Sequence, residues 1–431
     1  MKYYSLNKKA PMVSFKEAVI KGIAPDRGLY FPEDIQPLPA SFFDNIESLS
    51  NHEIALKAIQ QFVGDDIPEK ALKEILEDVL DFNFPVVPIT NNIGALELFH
   101  GPTMAFKDVG ARFMARCLGY FSNEKSTEIT VLVATSGDTG GAVANGFLGV
   151  SGVKVVILYP SGKVSDIQEK QLTTLGKNIT ALEVDGTFDD CQEMVKSAFL
   201  DKDITEKMQL TSANSINVAR WLPQMFYFLF TYKHAKSLGK EIIFSVPSGN
   251  FGNICAGIMA QKLGMPCKHF IAATNVNDIV PHFMATGSYN PKASIATISN
   301  AMDVGDPSNF IRIRHLYKDN FQELSKNLSS YSFTDEETKQ AMLSLYNDYN
   351  YVADPHGAVG YLGLKKYLDK HPEYYGIFLE TAHPVKFLDV VEDTIQENIE
   401  MPDSIAKLLG KKKKSIRISN YQEVKDFLST K

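Results

Sequence analysis

The chain of 431 residues has an ordinary globular composition, with 44% apolar and 22% charged residues, and a length typical of about two to three domains. Its net charge of −7 provides no basic field for nucleic acid or for an anionic membrane surface, so neither partner is expected. The cysteines are widely and irregularly spaced, which predicts neither a disulfide framework nor a zinc site. We expect unpaired thiols at Cys117, Cys191, Cys255 and Cys267.

The first part of the chain, residues 1–95, is predicted to be a mainly helical region. Ser14 is placed to cap a first helix, Asn51 begins a second, and Pro68 opens a third at a position where a helix tolerates proline. A segment rich in Gly and Pro connects the first two helices. The N-terminal residues lack the uninterrupted apolar segment of a secretory signal, so we expect a cytoplasmic protein.

From about residue 95 onward, predicted strands alternate with predicted helices. Nearly continuous apolar strands in such an alternation are typical of parallel sheets that are covered on both faces. The units are too many for one compact domain, so we expect two α/β domains, at residues 96–238 and 239–431, with a cleft between them. The sequence leaves open whether one of these domains is inserted in the other. The predicted strands are 130–134, 153–159, 179–184, 208–211, 242–246, 270–274 and 377–380.

The strongest apolar run, residues 225–230, is far shorter than the ~18 residues that a membrane span requires. It predicts a buried helix in a large core, and no membrane association is expected. The oligomeric state stays open between a monomer and a homodimer.

Two Gly-rich turns, residues 136–141 and 248–253, each link a predicted strand to a predicted helix. Such turns place free N–H groups at a helix N-terminus, where unpaired donors and the helix dipole attract an anion. Neither turn matches the dinucleotide-binding or P-loop pattern. A single turn of this kind indicates only a tight connection, whereas two turns rich in Ser, Thr and Asn favour a small anionic ligand.

Lys107 lies in the segment HGPTMAFKDVGARFMARCLG, where Thr103 is placed to cap a helix running from Met104 through Leu118. The first turn of a helix disfavours a cation, and the flanking Phe106 favours desolvation; both effects lower the pKa of a lysine. A lysine of this kind suits Schiff-base chemistry. The alternative is a surface lysine paired with Asp108, and the residues alone favour that alternative.

Residues 100–108 fill every position of the pattern His-Gly-Pro-Thr-x-Ala-Phe-Lys-Asp, and this segment resembles the cofactor-lysine segment of the threonine synthases. The opening blocks VSFKEAV and DRGLYFPE resemble the N-terminal extension of the longer members of that family. Arg220 follows one of the further blocks. These blocks occur in the family's order, so the resemblance spans nearly the whole chain. They are SGDTGGA (136–142), SANSIN (212–217), PSGNFGN (247–253) and LETAHPVKF (379–387).

The resemblance implies pyridoxal 5'-phosphate as the cofactor and the tryptophan-synthase-β type of fold (fold type II), with two open parallel-sheet α/β domains after the helical N-terminal region. By position, Lys107 would carry the cofactor and Thr381 would lie by the pyridine nitrogen. The cofactor phosphate would be held by main-chain N–H groups of Gly249, Asn250, Phe251, Gly252 and Asn253. Substrate-binding roles are implied for Ser136, Asp138, Thr139, Asn214, Ser215, Asn217 and Arg220.

Two further assignments stay open at this point. Arg220 is suited to a bidentate grip on a phosphate, and a surface ion pair is an equally good interpretation. His100 and His383 lie within the matched blocks, where an orienting or capping hydrogen bond is a better interpretation than a catalytic role. No metal is expected, because the remaining histidines show no metal-ligand spacing.

The implied reaction converts O-phospho-L-homoserine and water to L-threonine and phosphate by γ-elimination and β-hydration. The freed amine of Lys107 is the natural base for the α-proton, because it is tethered beside that carbon. The alternative enzyme is a related lyase such as a serine/threonine dehydratase, against which the His-Gly-Pro-Thr lead-in argues. A non-catalytic cofactor-binding relative is disfavoured by the intact lysine, and a nucleotide-binding module by the lack of its motifs.

Overall fold

The computed structural model describes residues 1–125 and 128–430. The strands are β1 (Lys2–Ser5), β2 (Val13–Ser14), β3 (Tyr30–Pro32), β4 (Val86–Thr90), β5 (Ile93–Glu97), β6 (Ile129–Ala134), β7 (Val153–Pro160), β8 (Ile179–Val184), β9 (Gln209–Ser212), β10 (Ile242–Pro247), β11 (His269–Thr274), β12 (Leu328–Ser332), β13 (Tyr375–Glu380) and β14 (Ile416–Ile418). The helices are α1 (Phe15–Lys21), α2 (Ala40–Asp44), α3 (Asn51–Val63), α4 (Glu69–Val79), α5 (Lys107–Lys125), α6 (Asp138–Gly146), α7 (Asp166–Thr173), α8 (Phe188–Leu200), α9 (Lys202–Thr205), α10 (Val218–Trp221), α11 (Met225–Ala235), α12 (Gly252–Lys262), α13 (Ile279–Thr286), α14 (Phe310–Leu316), α15 (Phe321–Asn327), α16 (Asp335–Tyr349), α17 (Pro355–Leu368), α18 (Leu388–Ile395), α19 (Asp403–Leu409) and α20 (Tyr421–Ser429).

The N-terminal region contains the predicted helices and a small antiparallel sheet of order β2-β1-β3. Ser14 caps α1 through a capping box, in which its hydroxyl accepts from the Glu17 amide while the Glu17 carboxylate accepts from the Ser14 amide. Ser50 and Glu53 cap α3 in the same way. The helices are confirmed, whereas the three strands are too short to have produced a periodic signal in the sequence.

Two larger sheets form the body of the molecule. The smaller sheet has five parallel strands in the order β14-β8-β7-β6-β9, and the larger has six in the order β12-β11-β10-β13-β5-β4. The larger sheet is parallel except for the antiparallel hairpin of β4 and β5. Strands β6, β7, β10, β11 and β13 are buried along nearly their whole length, as expected for sheets with helices on both faces. The predicted two-sheet α/β architecture is confirmed.

The chain order answers the question of insertion. Strands β6 to β9 of the smaller sheet lie in sequence between β5 and β10 of the larger sheet, so the smaller sheet is inserted in the larger. The C-terminal strand β14 then returns to the smaller sheet beside β8. The expected boundaries after residues 95 and 238 therefore do not coincide with sheet membership. Parallel pairing joins strands that are distant in the chain, and local patterns do not encode that choice.

The run at 225–230 lies in α11, whose residues from Met225 to Tyr232 are all buried. Among the described residues no helix is both long and apolar enough to cross a membrane. The described chain contains no disulfide: Cys117, Cys191 and Cys255 are buried, and Cys267 is partly buried. These observations agree with a large core that contains unpaired thiols.

The helix that carries the candidate lysine begins later than expected. Met104 adopts the left-handed conformation, with φ of 56°, and α5 begins at Lys107. The Thr103 hydroxyl donates to the Asp108 carboxylate at 2.5 Å. Thr103 therefore holds a tight turn rather than capping a helix from Met104, and this turn places Lys107 at the first helical position.

Candidate active site

One pocket lies between the two sheets, at the carboxyl ends of their parallel strands. Asp138 and Asn214 follow β6 and β9 of the smaller sheet, while Gly249 and Thr381 follow β10 and β13 of the larger one. Open α/β sheets bind ligands at this edge because their loops and helix N-termini converge there. Most of the residues singled out from the sequence line this pocket. They are Lys107, Asp138, Thr139, Asn214, Ser215, Arg220, Gly249, Asn250, Phe251, Gly252, Asn253 and Thr381.

Lys107 points into the pocket and is half-buried there. Burial, together with the nearby cations Lys386 and Arg220, lowers the pKa of Lys107 to about 8, although the Asp138 carboxylate opposes this shift. Among the described residues Lys107 forms no ion pair; Asp108 bonds to Thr103 instead. The alternative of a surface Lys107–Asp108 pair is therefore wrong, and the lowered pKa makes the neutral amine that Schiff-base chemistry requires accessible near neutral pH.

The backbone before Lys107 is joined to the end of β13. The amide of Phe106 donates to the carbonyl of Thr381 at 2.9 Å, and Ala105 pairs with Ala382 in an isolated β-bridge. Thr381 therefore sits in the pocket at a fixed position relative to the lysine. Its hydroxyl is a neutral group, so it can hydrogen-bond a ring nitrogen without protonating it.

Asp138 is the first residue of α6 and is buried at the base of the pocket. Its Oδ1 accepts from Lys386 Nζ at 2.6 Å and from Gln168 Nε2 at 3.0 Å. Burial alone would raise the pKa of Asp138, but Lys386 and Lys107 hold it well below its usual range. Asp138 is thus a permanent anion near Lys107.

The second Gly-rich turn forms a cradle for an anion. Phe251 adopts the left-handed conformation, with φ of 61°, and α12 begins directly after it. Within the described chain, none of the amide N–H groups from Gly249 to Asn253 donates a hydrogen bond to the protein. A Cβ at Gly249 would lie 2.8 Å from the carbonyl oxygen of Ala301, so only glycine is accommodated there. Free N–H groups at the start of α12 fit a phosphate.

Arg220 adds a second cationic group to the pocket. It is buried, and burial lowers its pKa to about 10, so the guanidinium remains charged at neutral pH. One terminal nitrogen donates to the carbonyl of Ala213, while Nε has no partner among the described residues. The surface ion pair considered for Arg220 is therefore wrong. A guanidinium that lines the pocket without a carboxylate partner is suited to an anionic ligand.

Two of the singled-out residues lie outside the pocket lining. Asn217 donates from Nδ2 to the carbonyls of Val19 and Ser212 and caps α10 through its Oδ1. Its side chain therefore has a structural role in joining the N-terminal region to the smaller sheet. Ser136 precedes the turn glycine and does not line the pocket either. For both residues substrate binding stays a prediction that this geometry does not support.

Two polar residues at the site have no recognisable signal in the sequence. Lys386 lies in the short 3₁₀ helix Pro384–Phe387, inside a matched block but without a pattern of its own. His356 lines the pocket at the start of α17, where its Nδ1 bonds to Asp354 at 2.5 Å and its Nε2 accepts from the amide of Ala301 at 3.2 Å. The contacts of Lys386 with Asp138 and of His356 with Ala301 join segments that are distant in sequence, which only the fold reveals.

His100 and His383, whose roles the sequence does not decide, both have structural partners. His383 caps the 3₁₀ helix by accepting from the Val385 amide at 3.1 Å, and His100 bonds to Glu97 at 2.7 Å. Burial lowers the pKa of His383 to about 4, so its ring is neutral. Neither lines the pocket. No cluster of His, Cys, Asp or Glu suited to a metal ion occurs among the described residues.

The residues present fit pyridoxal phosphate. A lysine with a lowered pKa, a neutral hydroxyl and a loop of unpaired N–H groups converge in one pocket. They correspond to the three groups of the cofactor: its aldehyde, its ring nitrogen and its phosphate.

Comparisons with known proteins agree with this geometry. The model of the pyridoxal-phosphate dependent enzymes matches residues 93–375, that of the threonine synthase N terminus residues 2–80, and that of the threonine synthase C-terminal region residues 357–428. Threonine synthase of Escherichia coli is 44% identical over 407 residues, which are 94% of each chain. A crystal structure of that Escherichia coli enzyme has a TM-score of 0.94 with 41% identity, and covers 100% of both chains. Pyridoxal-phosphate-bound threonine synthase from Brucella melitensis has a TM-score of 0.93 with 31% identity, covering 100% of this chain and 99% of that one.

Proposed function

The chain belongs to the threonine synthases, which are pyridoxal-phosphate-dependent lyases of amino-acid biosynthesis. We propose that it converts O-phospho-L-homoserine and water to L-threonine and phosphate, and that Lys107 is the residue that bears the cofactor. The single observation that carries the residue assignment is Lys107 itself. It is a lysine with a pKa lowered to about 8, unpaired among the described residues, and it faces a loop of free N–H groups.

The cofactor's phosphate would lie against the amides of residues 249–253, at the N-terminus of α12. The ring nitrogen would face Thr381, and the aldehyde would be bound by Lys107. Pyridoxal phosphate bound there supplies a sink for the electrons that are released when the α-proton of the substrate is removed. The remaining chemistry is carried out by the side chains of this chain.

Lys107 has two tasks in the proposed reaction. When the substrate amine displaces it, its neutral side chain stays tethered beside the α-carbon, where it can remove the α-proton. A base with a pKa near the working pH is the most efficient, and burial brings Lys107 into that range. The same amine would remain placed to displace the amine of the product and so release it.

The substrate brings a second phosphate, which needs its own binding groups. Arg220 is the best candidate, since it lines the pocket and its guanidinium has no carboxylate partner among the described residues. Asn214 and Ser215 lie beside it in the lining. We assign the substrate phosphate to this group, and Thr139 with Asp138 to the amino-acid end.

The test is to incubate the purified protein with pyridoxal phosphate and O-phospho-L-homoserine and to assay threonine and phosphate together. We expect equimolar threonine and phosphate. If serine or threonine instead gives a keto acid and ammonia while phosphate is not released, the chain is a dehydratase and the substrate assignment fails.

The variants Arg220→Lys and Arg220→Met test the binding site of the substrate phosphate. Each is expected to raise KM more than it lowers kcat.

A cytoplasmic location is also proposed. The four cysteines are all unpaired in the structure, as in proteins of a reducing compartment. Cell fractionation tests this proposal, and sedimentation equilibrium distinguishes a monomer from a homodimer.

A further inference from the structure

A second buried lysine lies beneath the pocket. The side chain of Lys386 is 0% exposed, and its Nζ contacts the Asp138 carboxylate at 2.6 Å and the carbonyl of Thr103 at 2.9 Å. Lys386 follows β13 of the larger sheet, whereas Asp138 begins α6 of the smaller one. The ion pair therefore joins the two α/β units at the floor of the site.

The geometry leaves the two oxygens of Asp138 in different situations. Lys386 and Gln168 both donate to Oδ1. The described residues provide no hydrogen-bond donor for Oδ2, although Asp138 lines the pocket. One oxygen is thus locked from behind and the other is available to a positive group in the pocket.

We propose that Lys386 is a positioning residue that keeps Asp138 ionised and presents its free oxygen to the ammonium group of the arriving amino-acid substrate. The role rests on the proposed function, because it needs a substrate with a free amine that reacts at Lys107. Asp138 holds the positive charge without accepting the proton, since its carboxyl is too acidic to act as a base.

Other charged groups near the pair do not replace Lys386. Lys107 and Asp108 approach from α5, Arg220 from α10, and His383 precedes the 3₁₀ helix. Asp108 is bonded to Thr103 and Arg220 to Ala213. Among these groups only Lys386 is in contact with the Asp138 carboxylate.

The experiment uses the cofactor-loaded enzyme and compares Lys386→Met with the wild type. Removing the cation leaves Asp138 buried without its counter-ion, so its pKa rises and the anion is lost as the pH falls. We expect the kcat/KM of Lys386→Met, taken relative to that of the wild type at the same pH, to fall at least about tenfold between pH 8 and pH 6, where the wild type keeps Asp138 ionised. The absorption spectrum of the cofactor should show the same new titration without substrate, because the titrating carboxylate lies near Lys107.

Three further variants distinguish a role of Lys386 in positioning Asp138 from a role in folding alone. Lys425→Met removes ion pairs to Asp201 and Asp203, which lie outside the pocket, and it should leave the pH profile unchanged. Lys386→Arg should restore the profile in part, because it keeps the charge. The double variant Lys386→Met/Asp138→Asn has no buried charge left over, so we expect it to fold, to lack the new acidic titration and to turn over at least about tenfold more slowly than the wild type.

The outcomes are distinct. An unchanged pH profile and spectrum in Lys386→Met would overturn the proposal, as would wild-type turnover in the double variant. If Lys386→Met does not fold, the double variant and Lys386→Arg decide whether Lys386 positions Asp138 or serves only the folding of the chain. If no threonine forms in the wild type while the spectrum of Lys386→Met gains its titration, the substrate assignment fails but the control of Asp138 by Lys386 stands.

Discussion

The two Gly-rich turns resemble each other in sequence and differ in what they present to the pocket. Residues 136–141 lead into α6 and contribute the charged carboxylate of Asp138, which Lys386 and Gln168 hold from behind. Residues 248–253 lead into α12 and contribute bare amide N–H groups. One turn thus suits a cation and the other an anion, although both join a parallel strand to a helix.

The difference arises from the neighbours and not from the turns themselves. Gly137, with φ of 138°, packs directly against Gln168, which also donates to Asp138. Gly249 packs against the backbone of Ala301 and Met302, which have no charge to contribute. A local motif therefore encodes a close approach of the backbone, while segments distant in the chain decide the sign of the ligand that the turn can bind.

The largest effect is expected at Lys107, which lies between the two turns. Lys107→Ala should lower turnover by about 10³-fold or more, because both cofactor attachment and proton transfer depend on that amine. The melting temperature of the cofactor-free variant should not fall, since a half-buried lysine without an ion-pair partner is itself unfavourable. Threonine release and thermal unfolding check these expectations. Lys73→Ala, an exposed residue paired with Glu69, is the control, and retained turnover in Lys107→Ala would contradict the mechanism.

Exchanging the charges of the turns tests the comparison directly. Asn250→Asp puts a carboxylate in the anion cradle and should weaken the binding of pyridoxal phosphate by about 10²-fold through repulsion. Asp138→Asn removes the charge of the other turn and should change that affinity by less than about threefold, since it does not face the phosphate. Equilibrium dialysis measures both values, with Asn250→Ser as the uncharged control. Equal losses of affinity for pyridoxal phosphate in the two variants would contradict the assignment of the phosphate to the second turn alone.

The pH dependence of cofactor loading gives a smaller effect. Only the neutral amine attacks the aldehyde, so the loading rate of the apoprotein should rise about tenfold between pH 7 and pH 9 as Lys107 passes through its pKa of about 8. The Asp138 carboxylate opposes the lowering of this pKa, so Asp138→Asn should shift the profile to lower pH. Stopped-flow absorbance measures the rate. A rate that is independent of pH from 6 to 10 would exclude an ionised Lys107 in the apoprotein.

The sequence predicted what local chemistry encodes. The strands β6 to β11 and β13 and the two turns were predicted from apolar runs and glycines. Lys107 was identified through the resemblance of several ordered blocks to one family, since the residues beside it favoured a surface lysine. Capping at Ser14 followed from the helix pattern. The strands, the turns and the cap depend on residues that are close together in the chain.

The remaining features depend on contacts between distant segments. The strand β5 (Ile93–Glu97) pairs with β13 (Tyr375–Glu380), which is distant in the chain, so local sequence patterns could not predict the sheet boundary. Lys386 meets Asp138 across the two sheets, and nothing in the residues beside either one predicts that contact. The late start of α5 has a different cause: Thr103 bonds to Asp108, and this turn competes with the helix that the sequence favours.

The smallest effect is expected where His356 supports the second turn. Its Nε2 accepts from the amide of Ala301, whose carbonyl lies close to Gly249. The ring therefore fixes the backbone that packs against the phosphate-binding turn. His356→Leu leaves that amide without an acceptor, at a cost of about 1 kcal/mol, and should weaken pyridoxal phosphate binding about fivefold. His356→Gln keeps an acceptor and should bind the cofactor like the wild type. Because the ring of His356 bonds to Ala301 and to Asp354, the spectral pH titration that reports Asp138 should not change in either variant. If His356→Leu alters that titration while leaving cofactor affinity intact, the histidine serves the charged turn and the division between the two turns is wrong.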